Sequence, residues 1–344
     1  MYKSNLMIDE LFFDATAAAM KLIEKNDKIN TQVFQNSEIF GRGRCRNKCR
    51  DPCPIIIYPT DFTNVGYVIS QPNRTYILAG DVMFTPTAPD TPAISIRAGN
   101  VRFDLGNYTI AGNGIAEMGI LIASKGVKLP NILIENGTIK NFSNVGIVSF
   151  NTIDLGVNNI SIENIIDTVG VAVGIVINGN VTDRGRTRIK NCRVINISGN
   201  SSATGFGSFR YPFKITNCVF SDIRSATGGA AGIQASNQDI NNSFNYDIIK
   251  TKINKISGII GKGLTLKSFG GAIFDLKVID CEISQINSTN ETNIVAGIDG
   301  LNLQNYTLRN NVVSNLVSSS GDPTKHIGYL IAGSSGVIEN CREF

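Results

Sequence analysis

The spacing of apolar residues changes along this chain. From Ser4 to Lys25, Met7, Ile8, Leu11, Phe12, Ala15, Ala18, Ala19, Leu22 and Ile23 recur at three- and four-residue steps, which places them on one face of a helix. Asp9, Glu10 and Asp14 near its start and Lys21 and Lys25 near its end complement the helix dipole. From Ile55 onward the pattern is one of short β-branched strands separated by Asn and Gly. Between the two, Gly41 to Pro54 carry Gly and Pro at both ends, which break the helix and make a linker. The reading is a helical cap or oligomerisation segment over 1–40, a basic Cys-rich linker over 41–60 and a β region over 61–344.

Two motifs alternate through the β region. Triplets that open on an aliphatic residue and close on Asn or Asp end at Asn136, Asn164, Asn191, Asn217, Asp280, Asn310 and Asn340, with a degenerate copy around Ile249-Lys250-Thr251. Between them, Gly precedes a large apolar residue at Gly146-Ile147, Gly174-Ile175, Gly205-Phe206, Gly232-Ile233, Gly263-Leu264, Gly297-Ile298 and Gly328-Tyr329. Each unit of about 26 to 34 residues is too small to bury its own strands, so stacking in register is what creates a core. Asn suits the bends because it tolerates positive φ and its amide can bond along a stack. Leucine-rich horseshoes need dominant Leu and a helix per unit, whereas roughly one residue in seven here is Ile and about one in nine Asn. The expected fold is all-β: a right-handed parallel β-helix, a single-stranded solenoid of about 8–10 coils, with an N-terminal α-helical segment.

The run Gly66 to Pro72, then Tyr76-Ile77-Leu78, Ala93 to Ile96, Val101 to Asp104 and Thr109-Ile110 resemble the first coils of right-handed parallel β-helix repeat proteins. That group includes pectate-lyase-like enzymes and an uncharacterised, non-enzymatic branch, which this chain resembles more. The resemblance covers roughly residues 60–344 and implies the fold; the scaffold hosts unrelated functions. Enzymes of the group, by that resemblance, carry clustered carboxylates on the outer face of one stacked sheet. A hydrolase needs two carboxylates on one glycosidic bond, and a lyase needs a base plus neutralisation of the uronate, often by calcium.

If the large residue after each Gly points inward, alternation turns the next one outward: Val148, Val176, Gly207, Gln234, Thr265, Asp299 and Leu330. Only Asp299 is acidic. Arg188-Ile189-Lys190 matches a polygalacturonase tripeptide, but the paired aspartates and Gly-His-Gly segment of those enzymes are missing. The lone histidine, His326, precedes a strand as a surface or turn residue. A loop cluster is the other option, since Asp183, Arg184 and Arg186 follow one strand and Arg210 lies one coil further on. The catalytic candidates are therefore Asp183, Arg186, Arg210 and Asp299.

Charge and cysteine narrow the partners. Arg42, Arg44, Arg46, Lys48 and Arg50 against Asp51 give an excess equal to the whole chain's net charge of +4. They form the candidate binding segment for a polysaccharide or other polyanion, without base-reading content. Cys45, Cys49 and Cys53 lie among these basic groups, which favour the thiolate; a disulfide, an intermolecular pair, free thiols or a metal site short of its fourth ligand all remain open. Cys192, Cys218, Cys281 and Cys341 each follow the Asn or Asp of a triplet, as buried thiols would. No cofactor is expected, and a protein partner or second copy is expected to engage residues 1–54.

The first thirty residues lack a secretory signal pattern and no apolar run reaches bilayer length. With seven cysteines, a reducing compartment or a virus particle fits better than secretion. The functional expectation is a non-catalytic β-helical structural or binding protein, a surface or virion component presenting loops for carbohydrate or protein attachment. The alternative is a diverged polysaccharide lyase or glycoside hydrolase. The absence of Trp, a common glycan platform, leans against an enzyme.

Overall fold

A computed structural model describes residues 52–124, 127–179, 185–237, 244–268, 274–290, 294–319 and 322–344. The expected N-terminal helix, the basic residues Arg42 to Arg50, Cys45, Cys49 and Asp183 lie outside the described residues.

β-Branched strands too short to make a core alone stack here into a parallel β-solenoid of about eight turns. Each regular turn contributes a strand to three sheets. Sheet I includes Met118–Ile122, Val145–Phe150, Val171–Asn178, Ser202–Phe209, Gly229–Asn237, Ile260–Ser268 and the first half of Val295–Arg309. Sheet II begins at Ile55–Ile57 and includes Thr187–Lys190, Phe213–Thr216 and Phe244–Ile249. Sheet III includes Arg193–Gly199, Val219–Ser225, Lys252–Gly258 and Glu282–Ser288. Among the described residues no helix is long and apolar enough to cross a membrane.

Stacking in register puts like residues on like, which is how Ile-rich strands fill a narrow interior. Ile120, Ile147, Ile175, Phe206, Ile233, Leu264 and Ile298 form one buried ladder. Beside it runs a ladder of glycines: a Cβ on Gly205 would lie 2.6 Å from the Gly232 carbonyl oxygen, and one on Gly232 would lie 2.7 Å from that of Gly263. Side chains are excluded there because neighbouring turns approach too closely.

The bends carry the Asn residues at positive φ, as the triplets predict. The structure separates them, however, into two ladders. Asn159 donates to Asn136, Asn217 to Asn191, Asn310 to Asp280 and Asn340 to Asn310, at sequence steps of 23, 26, 30 and 30 residues. Asn164 belongs to the other bend of its turn, donating to Asn141 and accepting from Asn196. The degenerate copy also shifts by one residue, because Ile248 stacks on Ile215 and Lys250 takes the positive-φ place. Cys192, Cys218 and Cys281 follow the first bend as free, buried thiols, and Cys341 is free and half-buried.

At the last turn the sheet II ladder passes from Leu308, fully buried, to Ile338, 50% exposed. The sheet III ladder ends at Glu343, which stacks on Val313 and accepts the Gly328 amide through Oε1 at 2.7 Å.

Candidate functional site

The outward row read from alternation exists in register: Val148 pairs with Val176, then come Gly207, Gln234, Thr265, Asp299 and Leu330. It is not open to water. Val148 is 1% exposed and Val176 8%, and Gln234, Thr265 and Asp299 are also buried. Met118, Leu121, Val145, Val148, Phe150, Val173, Val176 and Phe209 form an apolar cluster separate from the core inside the turns. Sheet I therefore buries both faces.

Toward the C-terminal turns this outer face becomes polar. Lys262 Nζ lies 3.1 Å from Asp299 Oδ2, with only 10% and 7% of the two side chains exposed. Asp299 Oδ1, Thr265 Oγ1 and Lys267 Nζ are buried without a hydrogen-bond partner among the described residues. Lys262 escapes a strict period-2 reading because alternation breaks at the glycine. A Cβ on Gly263 would meet the core residue Ile283 at 2.4 Å, so Gly263 and Leu264 both face inward, and Lys262 shares the outer side with Thr265. Burial raises the strength of such an ion pair but makes it costly to leave half-made.

The other candidates do not converge on this patch. Arg186 Nη2 is 2.8 Å from Asp247 Oδ2 and donates to the Phe213 carbonyl. Arg210 places its guanidinium 4.7 Å from the centre of the Phe209 ring. It follows a sheet I strand three strand spacings from that of Asp299, about 14 Å. His326 opens the strand His326–Glu339 instead of preceding it; the residue is half-buried and its Nε2 accepts the Ser318 amide at 3.0 Å. Cys53, the described member of the basic cysteine trio, is disulfide-bonded. Among the described residues no group of three His, Cys, Asp or Glu side chains could hold a metal ion.

Burial also governs the titratable groups of the interior. Desolvation pushes the Cys281 thiol up to about 11 and, with the nearby Tyr76 and Asp61, the Tyr67 phenol up to about 12. A shallow groove of about 280 Å³ at the bend between sheets II and III is lined by Asn107, Thr138, Asn159, Ser161, Asn191 and Arg193, with no carboxylate.

No protein-family model matches the chain. No curated protein matches it either. Among solved structures it is similar to the A-module of a mannuronan C-5 epimerase from Azotobacter vinelandii, at 11% identity and a TM-score of 0.34, over 86% of this chain and 89% of that one. No residue's role is carried over from that likeness.

Proposed function

We propose that the chain is a non-catalytic β-helical rod that binds or assembles with other molecules, with the basic segment Arg42 to Arg50 as its attachment point for a polyanion. The supporting observation is the state of Asp299. It is the one carboxylate of the outward row, it is buried, and its charge is taken up by Lys262. Hydrolysis of a glycosidic bond requires two carboxylates flanking the bond, and elimination requires a base that the polymer can reach. This patch offers neither arrangement.

Incubation with a panel of acidic and neutral polysaccharides tests the reading, followed by assays for new reducing ends, unsaturated uronate absorbance and changed sugar stereochemistry by NMR. No turnover above a protein-free blank is expected. Turnover that disappears in Asp299→Asn would overturn the proposal in favour of a diverged polysaccharide enzyme.

A further inference from the structure

The residues that follow the first bend form one column along the rod. Hydrogen bonds between turns give its order: the Val219 amide donates to the Cys192 carbonyl, Lys252 to Cys218, Glu282 to Thr251, Val312 to Cys281 and Arg342 to Asn311, so the column reads Cys192, Cys218, Thr251, Cys281, Asn311, Cys341. Of these four thiols, Cys192 and Cys218 alone sit on consecutive turns. Strand spacing sets consecutive members about 4.8 Å apart at Cα, inside the roughly 4.4–6.8 Å that a disulfide spans. Cys218 to Cys281 and Cys281 to Cys341 are each two spacings, about 9.6 Å, which no disulfide bridges without moving the backbone. The first two thiols also touch. The Cys192 amide donates to Cys218 Sγ at 3.4 Å, and the two thiols are hydrogen-bonded to each other. Weak thiol bonds to the Lys190 and Thr216 carbonyls, at 3.2 and 3.3 Å, cost little to give up.

We infer that Cys192 and Cys218 are a redox modification site, at which hydrogen peroxide joins two consecutive turns through a disulfide. The Cys218 thiolate attacks one peroxide oxygen and breaks the O–O bond, giving a sulfenic acid and a hydroxide that takes up the thiol's proton as water. The Cys192 sulfur then attacks the sulfenic sulfur, and its own proton leaves with the displaced hydroxide as a second water. Two thiols lose two electrons and peroxide gains them. Donation from the Cys192 thiol and amide lowers the Cys218 thiol against the opposing effect of burial, which makes Cys218 the attacking sulfur. With the two residues 3% and 1% exposed, reaction waits on local opening of the bend and favours a small oxidant over a bulky disulfide. The bond closes residues 192–218, one turn of the solenoid, into a covalent ring.

Peroxide treatment of the full native chain, followed by alkylation in urea, tryptic digestion and mass spectrometry, tests this. The expected product is a peptide pair joining residues 191–193 to 215–224, lighter by two hydrogens than the free peptides and released by dithiothreitol. It should exceed any pair that contains Cys281 at least about 10-fold, since that thiol lies out of bridging range. Cys192→Ser is expected to stop the reaction at a Cys218 sulfenic acid that dimedone traps. Thiols that both stay alkylatable at a peroxide dose that consumes Cys341 would overturn the inference. So would a linked pair that forms in urea but not in the native chain, or linkage of either cysteine to Cys281 or Cys341 in its place.

Discussion

The outer faces of sheets I and III are built from the same kind of strand on the same rod, yet they behave as different materials. On sheet III, Ile166 is 43% exposed, and Lys252 and Glu282 pair at 2.7 Å with nearly half of each side chain in water. On sheet I, Val148 and the pair Lys262–Asp299 are shut away. Composition does not separate the two, since both mix aliphatic and charged residues. What separates them is burial, which makes the sheet I face energetically a second core with an ion pair at one end.

The largest test of that contrast is the ion pairs. Lys262→Ala strands Asp299 in a buried site and is expected to lower unfolding free energy by about 3–5 kcal/mol. Lys252→Ala breaks a solvated pair and should change it by about 0–1 kcal/mol. Urea unfolding followed by circular dichroism measures both, and equal losses would erase the distinction between the faces. A double variant, Lys262→Met with Asp299→Leu, should recover most of the loss, because two matched apolar side chains leave no uncompensated charge.

Next in size is charge inserted at apolar positions. Val148→Asp should destabilise by about 3 kcal/mol, whereas Ile166→Asp on sheet III should stay within about 0.5 kcal/mol. The same unfolding measurement serves, and a mild Val148→Asp would mean that this face opens to water readily.

The smallest effect is set by pH and calibrates how dry the true interior is. Cys281 keeps its proton in the folded state up to about 11, against an ordinary value of 9.0, because burial disfavours the thiolate. The unfolded chain binds fewer protons in this range, so stability present below about pH 9 falls as pH rises from 9 to 11, by on the order of 2 kcal/mol. Tyr67 adds a loss in the same direction as pH rises from about 10 to about 12. Cys281→Ala should remove the lower part of this alkaline decline in a pH series of melting curves; an unchanged profile would place the thiol in contact with water.

The repeat of Asn bends and Gly-apolar steps made the solenoid legible, because stacking demands the same residue at the same place in every turn. The row from Val148 to Leu330 was legible for the same reason. Three things were hidden. Variable turn lengths let Asn164 mimic the spacing of the wrong ladder, since a step of 28 residues is as natural as the true 23 from Asn136 to Asn159. The inward Gly263-Leu264 pair concealed Lys262, the partner of Asp299. Arg186 looked available because its acceptor, Asp247, lies two strands further along sheet II, a contact that only the coiling creates.

The Asn ladder also makes the molecule a ruler with fixed divisions. A turn that spends 23 residues between ladder rungs and one that spends 30 both advance the rod by one strand spacing, about 4.8 Å. Extra residues can only go sideways into connections, so insertions and deletions change the rod's outline freely but its length only in whole turns. Loss of a single residue within a strand would instead rotate every later side chain of that strand between wet and dry sides.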